Sequence, residues 1–289
     1  MNADRINLER ARFADIESVT FHALATDAGE LVVVDTGGNL PVCLMWPSLF
    51  SDSKSFLPLV RRLRDSWRCV VIDGPAHGLS GPPASQNFSM QTCGLACRQI
   101  LDDLALDTAV CIGTGLGGVV ATHMALQYPE RTNGLVAMNA PFGRGRATAR
   151  ALSLVAAIAI AGRAAFARKT ILTRYFGNGL PRSAEDLANI EHHLARNDSR
   201  GLARVARAFL LEREELLSQL VRITAPALVI AGARNEGVTS FMQRDAALRL
   251  SDNRFEIVDA GHLPLADAPE TTIDLIESFL EEKIDVPGA

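Results

Sequence analysis

The stretch AVCIGTGLGGVVATHMALQYPER, residues 109–131, decides how the rest of the chain is read. A short apolar run is followed by a glycine-rich turn and then by a pattern that suits a helix. Two mechanisms want this shape. In a nucleophile elbow, G-x-S-x-G, small residues flank a side chain held at the apex of a strained strand-to-helix turn. Here that frame is Gly113-Thr114-Gly115-Leu116-Gly117, with Gly115 where a serine would stand. In a dinucleotide fold, G-x-G-x-x-G brings backbone close to a pyrophosphate, and Gly113, Gly115 and Gly118 fit that spacing too. Its context fails, because several strands come first and the next one ends in Met138-Asn139 without the carboxylate that binds ribose. The elbow is the better reading, and no cofactor is expected.

Outward from the elbow, β-rich runs at 30–35, 42–46, 69–73, 109–112, 134–138, 227–231 and 254–258 alternate with helical patterns. Several are apolar throughout, as expected of parallel strands covered on both faces. The chain therefore reads as an α/β protein with a doubly wound, mostly parallel sheet. Ligands of such sheets bind beyond the carboxyl ends of the strands. Between Pro141 and Thr224 the pattern is helical only. The expected division is a core of residues 1–141 and 222–289 with a helical insertion at 142–221. Ser183 and Asp186 resemble a capping box before Leu187, Ile190 and Leu194, which recur on one helix face.

Composition narrows the function. The 289 residues are 48% hydrophobic and 21% charged, with a net charge of -4, so there is no basic field for nucleic acid. The five cysteines, Cys43, Cys69, Cys93, Cys97 and Cys111, are odd in number and lack CxxC spacing, which suits a reducing compartment. Residues 1–12 are polar and charged with no apolar leader, and a cytoplasmic location follows as the expectation. The apolar run 151–162, between Arg150 and Arg163, is too short to span a bilayer. It reads as a buried or pocket-lining helix, with an interfacial membrane contact as the alternative. His192 and His193 lack further ligands at metal-binding spacing and read as a solvated helix face, as does the run Glu212-Arg213-Glu214-Glu215. No metal site is expected.

The segments PVCLMWPSLFSDSKSF, VVIDGPAHGLSGPP, IGTGLGGVVATHMALQYPERTNGLVAMNAP, PALVIAGARNEGV and DAGHLPLADAPE follow one another in the order found in α/β-hydrolases, and on these the chain resembles that superfamily. The resemblance implies an α/β-hydrolase fold whose helical insertion is a cap over a largely apolar pocket for a small molecule. It implies that His262, in a Gly-His pair, is the catalytic histidine. The family's orienting Asp aligns with Asn235, beside which Glu236 is a candidate substitute acid, and the other position used for that acid falls at Asn139. Oxyanion donors would be the backbone N–H groups of Leu116 and Ser48, since Pro47 has none. Trp46 and Asn139 are placed at the pocket. Asp73, with His77 and Ser80 in the same turn, is assigned to structure. Thr114, Ser48 and Cys111 are weighed as substitute nucleophiles, and none is favoured.

Three functions stay open. The first is an altered enzyme in which His262 supports acid/base chemistry (a lyase, a cyclase or direct attack by water) without the covalent acyl-enzyme. The second is a non-catalytic binding or scaffolding protein. The third is a conventional ester, lactone or C–C hydrolase that is inactivated at Gly115 or uses another nucleophile. The oligomeric state is not legible.

Overall fold

A computed structural model describes residues 13, 16, 19–85, 87–160, 164–177, 180–181, 183–196 and 198–284. The polar start at 1–12, together with Gly162 and Arg163, lies outside the described residues. Strands β1 (Thr20–Thr26), β2 (Gly29–Asp35), β3 (Val42–Trp46), β4 (Arg68–Asp73), β5 (Ala109–Thr114), β6 (Thr132–Met138), β7 (Ala227–Gly232) and β8 (Asn253–Val258) form one sheet in the order β1-β2-β4-β3-β5-β6-β7-β8. β1 and β2 form an antiparallel hairpin, β2 runs antiparallel to β4, and every pairing from β4 to β8 is parallel. The doubly wound, mostly parallel sheet expected from the sequence is therefore present. β1 is an addition to the expected strands: at the sheet edge its residues are exposed or half-buried, so it lacks the apolar continuity that marked the others.

Inside the sheet, β3 through β7 are buried almost without interruption because helices cover both faces. On one face Leu44, Val70, Ile72, Cys111 and Leu135 pack with residues of α2 (Met90–Asp103) and α3 (Leu116–Gln127). Their chain neighbours Cys43, Met45, Val71, Val110 and Ile112 point the other way, as strand geometry requires. There they meet α1 (Leu57–Leu63) and, later in the chain, the long helix 269–283. The first ten residues of α3 are all buried, so this helix is enclosed around its whole circumference, Thr122 and His123 included.

The turn between β5 and α3 is set by backbone collisions that only glycine avoids. A Cβ on Gly113 would lie 2.1 Å from the Gly117 carbonyl carbon, and one on Gly117 would lie 1.8 Å from the Trp46 carbonyl oxygen. The glycine pattern thus serves close packing of α3 against β5 and the turn after β3.

Between β6 and β7 the described residues are helical and irregular: α4 (Ala149–Ile160), α5 (Ala165–Ile171), α6 (Ala184–Arg196) and α7 (Ser199–Arg207), with π-helical turns at Leu172–Phe176 and Ala208–Glu212. The Ser183 hydroxyl accepts from the Asp186 N–H at 3.3 Å, as its capping role requires. Two expectations here need correction. His193 is buried, not solvated, because it shares a face with Ile190 and Leu194 and its ring lies 5.0 Å from that of His77. The side chain of His192 lies outside the described residues. Arg213 is likewise no surface charge, since its guanidinium donates to the carbonyls of Pro141, Gly143 and Phe209. Burial pushes its pKa down to about 10. All five cysteines are buried and unbridged. Among the described residues no helix is long and apolar enough to cross a membrane.

Beyond β7 come α8 (Ser240–Ala247), the short α9 (Pro264–Asp267) and α10 (Pro269–Lys283).

Gly117→Ala is expected to cost at least about 3 kcal/mol of unfolding free energy, since backbone cannot yield cheaply, while Gly143→Ala, which meets nothing within 4 Å, changes little. Equilibrium denaturation of the two variants checks this. Burial also holds the pKa values of His77, His123 and His262 down to about 4, against 6.5 for the free side chain. The unfolded chain binds more protons between these values, so stability is complete above pH 6.5 and falls as the pH drops toward 4. A denaturant midpoint that is flat from pH 7 to pH 4.5 would contradict it.

Candidate active site

The apex of the elbow is Gly115, at φ 55° and ψ -110°, with its N–H bonded to the Met138 carbonyl at 2.8 Å. This left-handed geometry strains any residue with a Cβ, and glycine relieves it. The position a Cβ would take is already contested: it lies 2.6 Å from Ser48 Oγ and 2.9 Å from His262 Nε2. The family's histidine and the elbow are therefore brought together, but with Ser48 between them.

His262 follows β8 in a loop tied down at several points. The Gly261 N–H donates to Asp267, whose carboxylate also takes Arg234 Nη2 at 2.9 Å, and the Arg234 N–H donates to the Ala260 carbonyl. The loop after β7 is thereby fastened to the loop that carries the histidine. Asn235 lies in that first loop, with Nδ2 at 3.3 Å from His262 Nδ1.

The orientation of the Asn235 amide determines the protonation of the imidazole. Its Oδ1 accepts from the N–H groups of Gly237 and Val238, at 3.2 and 3.4 Å, so the NH2 group must be the end that faces His262. An NH2 can only donate, and Nδ1 must therefore hold the lone pair. The ring proton then sits on Nε2, the reverse of the arrangement that an Asp enforces in a Ser-His-Asp triad. Burial, with no carboxylate at hand, keeps the ring neutral near pH 7. His262 thus presents an N–H toward the elbow, where a serine hydrolase needs a base.

Ser48 Oγ stands 3.1 Å and the Tyr175 hydroxyl 3.3 Å from this Nε2. Tyr175, on the π-helical turn, packs edge-on against His262 with centroids 5.1 Å apart, and Phe176 and Phe50 complete an aromatic wall. Burial raises the Tyr175 pKa, keeping the phenol protonated. The sequence reading did not single out Tyr175, and treated Ser48 mainly as a backbone donor. Nothing in the spacing of the helical segment marks this tyrosine, which reaches the site only through the tertiary fold.

The remaining candidates separate clearly. Glu236 is exposed, its carboxylate 3.6 Å from the Cβ position of Gly177, and it is Asn235 that meets the imidazole. Leu116 is the first residue of α3, so its N–H has no carbonyl one turn back within the helix and belongs to the helix's electropositive end. Asn139 and Trp46 are not among the residues that line the two described cavities. Asn139 is fully buried, donating Nδ2 to the carbonyls of Gly261 and His262 and accepting the Gly232 N–H on Oδ1. The Trp46 ring is covered by Gly74. Asp73 accepts the N–H groups of Ser53 and Leu79, and His77 donates Nδ1–H to Pro75 while accepting the Phe50 N–H, so both are used by the local turn. The Thr114 hydroxyl faces Met138 Sδ at 3.9 Å, and burial pushes the Cys111 thiol up to about 12. Neither behaves as a nucleophile.

A cavity of about 620 Å³ opens beside this cluster, bounded by Ser48, Phe50 and Thr114 on the core side and by Ile190 and His193 of α6. Its lining includes Lys54, Asp52 and Asp186 beside Leu57, Leu263 and Leu265, so this cavity is mixed in character.

The mostly parallel sheet, the strand-turn-helix elbow and a histidine carried after the last strand define an α/β-hydrolase. Residues 37–275 match the model of the alpha/beta hydrolase family, and the chain belongs to it. Among curated relatives it is 27% identical to 3-oxoadipate enol-lactonase 1 of Acinetobacter baylyi, over 88% of this chain and 94% of that one. It is also 27% identical to the magnesium-chelatase 30 kDa subunit of Rhodobacter capsulatus, over 86% and 90%. The crystal structure of the enol-lactonase from Burkholderia xenovorans LB400 shares the fold at a TM-score of 0.80 and 22% identity, covering 91% of this chain and all of that one.

The ring proton of His262 is open to direct measurement. Nitrogen NMR at pH 7 is expected to find Nε2 protonated in the wild type and Nδ1 protonated in Asn235→Asp. A wild-type ring protonated on Nδ1 would contradict the amide orientation.

Proposed function

We propose that this protein recognises an oxygen of a small molecule, a carbonyl or carboxylate, without covalent attachment, and that any turnover runs without an acyl-enzyme. The observation that carries this reading is the Asn235 amide on His262 Nδ1 beside a glycine at the elbow. Together they leave neither a nucleophile at position 115 nor a base aimed at it. What remains is a set of donors: His262 Nε2–H, the Tyr175 and Ser48 hydroxyls, and the N-terminal end of α3 with the Leu116 N–H. Such a set suits negative charge on oxygen, as on a carboxylate, or on a carbonyl oxygen polarised for attack by a water that passes its proton to solvent. His262 would polarise the ligand as a neutral hydrogen-bond donor, a role that needs no change in its charge. The helical segment over the site, carrying Tyr175 and Phe176, would act as a cap, and the mixed lining of the cavity favours an oxygenated, partly apolar ligand. Relatives named enol-lactonases support that substrate class.

A non-catalytic binding role is the second reading. It is favoured by Ser48 Oγ and Tyr175 already lying against Nε2, because a ligand must then compete with internal hydrogen bonds.

Wild type, His262→Ala and Tyr175→Phe should be incubated with small esters, lactones, β-diketones and hydroxy-ketones and the products read by mass spectrometry. The enzyme reading requires product that falls at least about a hundredfold in His262→Ala, with no adduct on the intact protein. Saturable binding without product would select the binding role. An acyl or phosphonyl adduct on Ser48 would overturn the proposal in favour of a displaced nucleophile. Gly115→Ser alone is expected to stay inactive as an esterase. Joined to Ser48→Ala and Asn235→Asp, which clear the space and return the base, it should gain a measurable acylation burst.

A further inference from the structure

The charge of the chain is unevenly placed. Residues 143–183 hold eight of the 29 lysines and arginines and none of the 33 acidic residues. The same stretch contains large apolar side chains left in solvent: Leu152 at 50% and Ile160 at 43% exposure on α4, and Phe166 at 70% on α5. Leu152, Ala156 and Ile160 recur every fourth residue and so share one face of α4, while Leu154 and Ile158 are buried on the other. Arg144, Arg146 and Lys169 are exposed in the same stretch of chain.

We propose that this face of α4 and α5 docks on an anionic membrane surface, with Leu152, Ile160 and Phe166 entering the headgroup region and the surrounding cations meeting lipid phosphates. Exposed apolar side chains in a segment that carries cations and no acids are what an interfacial helix presents to anionic lipid. The rest of the chain strengthens the choice. With all 33 acidic residues elsewhere in the sequence, charge is unevenly spread along the chain, and a negative surface favours this segment over the rest. A second exposed apolar group, Phe241, Met242 and Leu248 at α8, is less strongly biased, because its arginines, Arg244 and Arg249, are accompanied by Asp245, which pairs with Arg249. A second copy of the chain would bring the same cations against one another and is disfavoured. The docking face also connects to the site: α5 continues directly into the turn carrying Tyr175 and Phe176 against His262. A molecule dissolved in the lipid would thus meet the segment that roofs the candidate site. The proposal does not depend on the chemistry assigned to His262.

The test is sedimentation of the full chain with vesicles of phosphatidylcholine alone and of phosphatidylcholine containing roughly a third phosphatidylglycerol. Binding to the anionic vesicles is expected to exceed binding to the neutral ones by at least about tenfold and to weaken as salt is raised. Leu152→Ser with Phe166→Ser, and separately Arg144→Glu with Arg146→Glu and Lys169→Glu, should each weaken it by at least about fivefold with unchanged thermal unfolding. All these side chains are exposed, so the fold is retained. Failure to bind anionic vesicles, or binding untouched by both sets of changes, overturns the proposal. A dimer in analytical ultracentrifugation that Phe166→Ser dissociates would overturn it as well, assigning the face to a second copy.

Discussion

The structure depends on one contact between pieces of backbone: α3 begins so close to the end of β3 that position 117 has no room for even a methyl group beside the Trp46 carbonyl. Because Gly113 also lies against Gly117, the strand must turn sharply and the helix must start at once. The apex at 115 is thereby pushed out toward the loops that follow β7 and β8, and α3 aims its electropositive end at the same place. This geometry is paid for by packing and not by chemistry. That is why it survives with no nucleophile to display.

What changes is the electrostatic order around the histidine. In a triad, charge runs outward from a buried acid, through the ring, to a hydroxyl that must lose its proton. Here the buried partner is an amide whose oxygen is already committed to two N–H groups, so the polarity of the ring is turned round. Tyr175 and Ser48 then complete a group of neutral donors and acceptors in which no member needs to ionise. Such a cluster is at its strongest when it is dry, and His262 and Ser48 are buried beside aromatic rings.

Most of the fold was legible in the sequence because the parallel strands are apolar along their whole length and glycines mark the elbow. The strands at 42–46 and 134–138 and the expected elbow fall where the structure has them. β1 escaped because an edge strand carries a weak pattern, with alanines at positions 23 and 25. At the site, Gly115, Asn235 and His262 were found from their frames, but three details could not be. Tyr175 arrives from a distant helical turn, the Ser48 side chain turns toward the ring, and the Asn235 amide takes its direction from backbone N–H groups two and three residues on. Arg213 and His193 were misjudged for a related reason: charge or polarity in a helical segment says nothing about which carbonyls or rings it will meet after folding.

Asn139 limits where an acid could be placed in this site. Its amide donates to two carbonyls of the loop holding His262 while its oxygen accepts from the strand beside it. An aspartate there would turn an oxygen toward those two carbonyls, with no proton to share, so the mutation that returns an acid at that position would also pull apart the loop it was meant to serve. A single change at this position therefore does not supply the histidine with an acid. The amide holds that loop whatever the site does, and position 235, beside His262 Nδ1, is where an acid would meet the ring.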